Sequence, residues 1–303
     1  MKFLNKLLIA LFIWIMRLIS WLPMPLTRLI GWVLGNVSYL LIASRRRVGL
    51  VNLRLCFPEK SEQERRKILR DHFCELFIIG LDYGLIFGAS PARLQRLVKY
   101  RNFENIQKYY EHRPIVLLAP HLLGLDIGAN RTSLEITGYS MFSHQRNLYL
   151  SERLKQARIR FFAPRGGEIF SRQEGLRNIV RKMKQNKWPF YYVPYQDMDQ
   201  RNLMFVPFFA HPYCATVDVM PKLAKLADAV VIPMATYREG NHYVVEFWPA
   251  WEDYPTEDSV TDVTRMNRAI EKMILKHPEQ YLWMHKRFKT QPDLPRGELY
   301  KNC

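Results

Sequence analysis

The residues whose types and spacing could do chemistry are His121 and Asp126, in the stretch Arg113-Pro-Ile-Val-Leu-Leu-Ala-Pro-His-Leu-Leu-Gly-Leu-Asp126. An imidazole with one ring nitrogen held by a carboxylate has a fixed tautomer, and its other nitrogen is free to take a proton from a hydroxyl. Such a pair is a general base without a nucleophile of its own. Five residues on a continuous helix turn the chain about 500°, which would leave the two side chains ~140° apart. They meet only if His121 stands outside the helix and Asp126 lies in its first turns, with Gly124 allowing a close approach. A lone His-x4-Asp also recurs by chance, and a histidine at a strand end is commonly a hydrogen-bonded structural residue. The pair alone leaves both readings open.

The elements that must position this pair can be read on either side of it. Ile115 to Ala119 is a short run of β-branched and large aliphatic residues, and Pro120 denies a ladder its next donor, so a buried strand should stop at His121. Leu122 to Arg131 reads as the start of a helix. In open α/β sheets this C-terminal strand edge is where ligands collect. Further on, Tyr139–Ser143, Trp188–Val193, Ala229–Met234 and His242–Trp248 read as strands. Helices are expected over Leu150–Arg160, from Phe170 through Val180 and Met183, from a Thr216 cap through Leu223 to Leu226, and over Val260–His277. Phe205–Phe209 is an apolar segment. The fold class is therefore α/β, a mixed central sheet flanked by helices. The strand over Trp188–Val193 ends at Pro194-Tyr-Gln-Asp197, which brings a second carboxylate, Asp197, to a strand end. Loop aspartates more often cap turns.

At 303 residues and 48% hydrophobic content the chain can bury a full core. With 45 Lys+Arg against 28 Asp+Glu, its formal charge of +17 calls for an acidic partner: nucleic acid, anionic lipid headgroups or an acidic carrier protein. Basic residues recur at loops, among them Arg146, Arg153, Arg158, Arg160, Arg165 and the run His285-Lys-Arg287-Phe-Lys289. No helix-turn-helix, RNP or finger pattern accompanies them, which argues against nucleic acid. Cys56, Cys74, Cys214 and Cys303 lie far apart without metal-ligand spacing and read as reduced thiols.

Phe3–Leu22 and Met24–Ser44 are two apolar stretches separated by Pro23 and Pro25 and closed by Arg45-Arg46-Arg47. About 20 apolar residues are needed to cross a bilayer as a helix, so each is marginal. They read as a helical membrane anchor with the remainder on the cytoplasmic side. A tilted span, a shallow hairpin, two interfacial helices and a buried core pair all fit. Ser61-Glu-Gln-Glu64 opens a helix expected to run to about Gly88, and Ser90-Pro91 opens another to about Val98. The expected organisation is a membrane anchor over 1–47, a helical scaffold or substrate platform over 48–112 and a catalytic α/β domain over 113–303.

His121-Leu-Leu-Gly-Leu-Asp126, Phe205-Val-Pro-Phe-Phe209 with Ala215-Thr216, and Pro278-Glu-Gln-Tyr-Leu-Trp-Met-His-Lys-Arg-Phe-Lys289 together resemble the late acyltransferases of lipid A biosynthesis. Asn52-Leu-Arg-Leu-Cys-Phe-Pro58, the Arg45–Arg47 run and Tyr300 fit the same pattern, so the likeness covers nearly the whole chain. The resemblance implies a glycerolipid-acyltransferase-like fold at the cytoplasmic face of a Gram-negative inner membrane. It implies transfer of a fatty acyl group from acyl carrier protein to a hydroxyl of a phosphorylated lipid A precursor, without a cofactor or metal. On that pattern His121 is the base and Asp126 its orienter, and an arginine or backbone amides hold the oxyanion. Arg146, Arg158, Arg160, Asp197 and Arg287 are the candidate substrate-binding residues, with Arg158 or Arg160 at the family's basic position. Asp126 stands for the more usual Glu, Tyr195 for the first Asp of a P-D-x-D segment, and Ala210 for a frequent Gly. The same pair of residues also serves acyl transfer to glycerophospholipids or other glycolipids. A basic, non-catalytic lipid-binding membrane protein is the other class the sequence allows.

Overall fold

The computed structural model describes residues 2–142, 147–171, 175–194 and 203–303. Its N-terminal third is largely helical. α1 (Lys2–Ile19) and α2 (Met24–Leu41) are separated at Pro23, and Pro25 sits in the first turn of α2, where a missing amide hydrogen costs nothing. α3 (Ala43–Cys56) leaves α2 at 90°. α4 (Glu62–Asp82) opens on the capping box: the Glu64 amide donates to the Ser61 hydroxyl at 3.2 Å, and the Ser61 amide donates to the Glu64 carboxylate at 2.7 Å. The helix expected to reach Gly88 breaks at Tyr83 and resumes as α5 (Gly84–Gly88). The break brings the α5 backbone hard against α1, where a Cβ on Gly84 would collide with the Met16 carbonyl. α6 (Pro91–Leu97), β1 (Val98–Arg101) and α7 (Glu104–Gln107) follow.

From here strands and helices alternate: β2 (Ile115–Leu118), α8 (Leu125–Thr132), β3 (Tyr139–Phe142), α9 (Leu148–Ile159), β4 (Glu168–Ser171), α10 (Gly175–Asn186) and β5 (Pro189–Tyr192). A hairpin of β6 (Leu203–Phe208) and β7 (His211–Val217) leads to α11 (Val219–Ala227), β8 (Val230–Glu239), β9 (His242–Phe247) and α12 (Ser259–Lys276). The sheet runs β1-β9-β8-β2-β5-β3-β4, parallel at every pairing except β8 with β9. β2 is central. All four of its residues are buried, Val116 and Leu118 facing a cluster that includes Ile179, Met183 and Leu223, and Ile115 and Leu117 facing one that includes Ile127 and Ala157. Burial on both faces is why this strand reads as an unbroken apolar run.

The mixed α/β architecture is the one the alternation implies, with differences in detail. β1, inside the segment read as a helical platform, is an edge strand of the main sheet. Thr216 does not cap a helix; it is buried in β7, and Asp218 holds the cap position of α11. An apolar hairpin strand and a helix start are hard to separate when so few residues lie between them.

No single described helix is long and apolar enough to cross a membrane; the bent pair α2–α3 passes by length and composition alone. α2 instead lies along α4. A Cβ on Gly31 would sit 2.6 Å from Ile78 Cγ1 and one on Gly35 2.7 Å from the Cys74 amide nitrogen, so these glycines let the two backbones approach. The outward faces of α1 and α2 are not a buried core pair. Leu7, Leu11, Phe12, Trp14, Trp21 and Trp32 are exposed, with more of the same kind along α2.

Candidate active site

His121 lies three residues beyond β2, at the C-terminal edge of the parallel strands. The strand stops at Leu118, although the Ala119 amide still donates to the Tyr192 carbonyl at 2.9 Å. Leu122 and Leu123 are held by the Pro278–Trp283 segment: Leu122 bridges Tyr281, and the Leu123 amide donates to the Gln280 carbonyl at 2.9 Å. Gln280 in turn is locked to β8 by a pair of bonds with Arg238, at 2.8 and 2.9 Å. The chain on either side of the imidazole is therefore tied to two rigid elements. A loop that left its backbone groups unpaired here would carry a cost for each one buried.

Asp126 occupies the first turn of α8. Its Oδ2 accepts from the Tyr83 hydroxyl and from Arg158 Nη2 at 2.7 Å. Burial, with the Asp126 charge beside it, pushes the Tyr83 phenol far up, so it stays a donor. The expected hydrogen bond from His121 to Asp126 is a point of correction: among the described residues none joins them. A guanidinium forms a charge-assisted bond that a neutral imidazole does not match, and Arg158 takes that place. The acid still acts on the ring through space. Burial pushes His121 down to about 4 from 6.5, nearby His285 and Arg287 push the same way, and Asp126 opposes them. At neutral pH the imidazole is uncharged and able to accept a proton.

His121, Asp126 and Arg158 share the wall of one cavity of about 300 Å³, a volume at the small end of ligand sites, which span roughly 300–1,000 Å³. Much of the remaining wall is apolar, including Leu117, Leu125, Ile136, Phe162, Ile169 and Leu176. β3 and β5 pair only at Tyr139–Phe190 and Ser140–Tyr191, and all four of these residues line the cavity as well. On its other side His121 faces a small recess shared with Phe208, Tyr281 and Arg287. Arg287 is buried, donates to the Ala215 carbonyl at 3.0 Å and stacks over the Phe208 ring. A neutral base flanked by two guanidiniums and opening on an apolar slot suits a reaction that deprotonates a hydroxyl beside a long alkyl group. Among the described residues no three of His, Cys, Asp and Glu converge to hold a metal ion.

A family model for bacterial lipid A biosynthesis acyltransferases matches residues 1–290. The chain belongs to that family. It is 29% identical to the lipid A biosynthesis lauroyltransferase of Escherichia coli over 92% of its own length and 90% of that protein's. It is 31% identical to a lipid A biosynthesis acyltransferase of Haemophilus influenzae, over 94% and 91%. The lipid A biosynthesis myristoyltransferase of Escherichia coli matches at 30% over 85% and 79%. The protein is an acyltransferase.

In this lipid A acyltransferase family member the two candidate arginines at the basic position separate cleanly. Arg158 lies on the cavity, whereas Arg160 donates to the Leu85 and Ala89 carbonyls at 3.1 and 2.8 Å and so closes the end of α5. Arg160 does not line the cavity. Arg146, Asp197 and Tyr195 fall outside the described residues. Ala210 occupies the β6–β7 turn, its amide donating to the Cys56 carbonyl at 3.3 Å.

One residue and one pairing of consequence are absent from the sequence reading. Tyr83, at the α4–α5 break, holds the acid, and no local pattern marks it. Asn52 on α3 is buried and donates to the Trp283 and His285 carbonyls at 2.6 and 2.7 Å, while Tyr300 donates to Asn52 Oδ1 and accepts from the Phe288 amide at 3.0 Å. Asn52 and Tyr300 thus brace the segment that carries His285 and Arg287. Both stand in the motifs quoted above, so their presence was visible and their pairing was not.

Proposed function

We propose that this acyltransferase moves a fatty acyl group from acyl carrier protein to a hydroxyl of a Kdo-linked lipid A precursor, at the cytoplasmic face of the inner membrane. The observation that carries the reading is the apolar cavity that has His121, Asp126 and Arg158 on its wall. An alkyl chain needs such a slot, and the thioester at its head must meet a base. His121 removes the proton as the acceptor oxygen attacks the thioester carbonyl carbon; the tetrahedral adduct then expels the carrier thiolate, which takes the proton back from the imidazolium. Asp126, fixed by Tyr83 and Arg158, stabilises the imidazolium across the cavity. Arg158 and Arg287 set positive charge on either side of the reacting centre, where negative charge develops. General-base assistance typically supplies about 10²–10⁴-fold, so alignment in the slot and electrostatic stabilisation supply the rest.

The membrane placement rests on the unpartnered apolar faces of α1 and α2, with Arg45 and Arg47 exposed at the start of α3. A contiguous apolar exterior of this kind belongs against lipid, and basic residues at its border suit anionic headgroups. The chain would lie on one leaflet, its cavity at the boundary between water and lipid.

Incubation of the purified protein with labelled acyl carrier protein and a panel of acceptors tests the reading. Kdo-bearing lipid A precursor should gain one acyl group by mass spectrometry. Turnover confined to lysophosphatidic acid or another glycolipid would overturn the acceptor, and lipid binding without turnover from any donor would overturn the chemistry.

A further inference from the structure

We infer that the exposed basic stripe of α10, Arg177, Arg181 and Lys184, is the docking surface for the acidic protein that carries the acyl thioester. The inference rests on the donor reading above and assigns it a place. These three residues are spaced i, i+4, i+7, within about 60° of one another around the helix. The helix packs on the core through Leu176, Ile179, Val180 and Met183. Lys182, on the other flank, is already engaged by Glu168. None of the three stripe residues forms an ion pair among the described residues; Arg181 only donates to Asn178 within its own helix, at 2.9 Å. Like charges at this spacing weaken a helix slightly. An unneutralised row of them is a local cost that a negatively charged partner removes.

Position relative to the cavity gives the stripe its meaning. Leu176 lies on the cavity wall, and the next residue, Arg177, belongs to the stripe. α11 packs against α10 and contributes Val219 and Leu223 to the same wall. Its exposed lysines, Lys222 and Lys225, already face Asp218 at 2.6 Å and Glu257 at 3.7 Å, which leaves α10 as the open side of the pair. α10 begins just after β4, at the same C-terminal edge of the sheet as His121. A carrier seated here holds its prosthetic arm beside the slot that takes the acyl chain.

A lipid surface is the less fitting occupant. Every described residue of α10 that is exposed is polar, charged or glycine, and most of the exposed large apolar side chains gather on α1 and α2 instead. A basic row with no exposed large apolar side chain on its own helix suits an acidic protein helix, where complementary charge governs encounter and register.

The test is donor kinetics of the charge-reversed variant Arg177→Glu/Arg181→Glu/Lys184→Glu and the milder Arg181→Gln/Lys184→Gln, with thermal midpoints checked against wild type. The reversed variant should show KM for acyl carrier protein raised at least tenfold, with kcat at saturation within twofold and release from anionic vesicles unchanged. The neutral variant should show a smaller rise and a flatter dependence of KM on ionic strength than wild type. Wild-type turnover of the carrier with unchanged KM in both variants would overturn the surface alone. Unchanged KM with loss of vesicle binding would assign the stripe to lipid and overturn it too. A wild-type protein inert toward acyl carrier protein would overturn the donor reading and the docking surface with it.

Discussion

His121→Ala should abolish transfer by at least the 10²–10⁴-fold of a lost general base, while the protein stays folded and bound to lipid. Because burial, with His285 and Arg287 nearby, holds the ring down to about 4, the acid limb of kcat/KM against pH should fall near there, well below the 6.5 of a free imidazole. An acid limb at 6 to 7 would mean that His121 is not the group that titrates. Tyr83 offers a subtler test. Removing its hydroxyl leaves the Asp126 carboxylate with one fewer donor, so its charge bears more strongly on the imidazole and its position loosens. Tyr83→Phe should lower kcat with little change in KM and move the acid limb upward, at a stability cost of about 1.5–3 kcal/mol for a hydrogen bond to a charged group. A merely structural role would lower the melting temperature and leave the pH profile in place.

Among the elements, the Pro278–Lys289 segment does its work through bonds that the sequence cannot display. Gln280 faces β8, its carbonyl holds Leu123, and Asn52 takes the carbonyls of Trp283 and His285. Asn52→Ala would take the amide donor from these carbonyls and the Oδ1 acceptor from the Tyr300 hydroxyl. It should cost about 2–4 kcal/mol by urea titration, a few unsatisfied groups at 1–3 each with partial relaxation, and activity should fall further than stability explains because Arg287 moves. The α2–α4 contact makes a separate claim. Gly35→Val puts branched carbon where the Cys74 backbone already is, so α2 must move away, at about 1–3 kcal/mol of overpacking read as a lower thermal midpoint. Retained stability there would mean that α2 is not seated on α4. The break at Tyr83 belongs to this scale too: the apolar spacing of α4 continues through it, so periodicity alone runs the helix on to Gly88, whereas the break sets α5 against α1.

For the whole molecule, acid stability follows from two buried histidines. His72 is held by the Glu279 carbonyl at 3.0 Å and, like His121, is pushed by burial down to about 4. The unfolded chain takes up these protons first as pH falls below about 6.5, so stability is full above that value and declines through about 4. Denaturation midpoints measured from pH 7 to pH 4 should fall, and His72→Gln should flatten the slope. The sequence by itself determined the alternation of strands and helices, the buried central strand, the apolar N-terminus, the excess of positive charge and the motifs that mark the family. These depend on composition, on local period, or on side chains close together in the chain. It also placed His121 at a strand end, because Pro120 acts on its immediate neighbours. What only the tertiary structure decided is what each of those side chains touches. Asp126 was expected to hold the imidazole, yet it is held by Tyr83, 43 residues before it, and Arg158, 32 residues after. Arg158 and Arg160, two residues or about half a helical turn apart, divide between the cavity wall and a helix cap. A hydrogen bond depends on distance in space, and over such separations along the chain no local pattern encodes it.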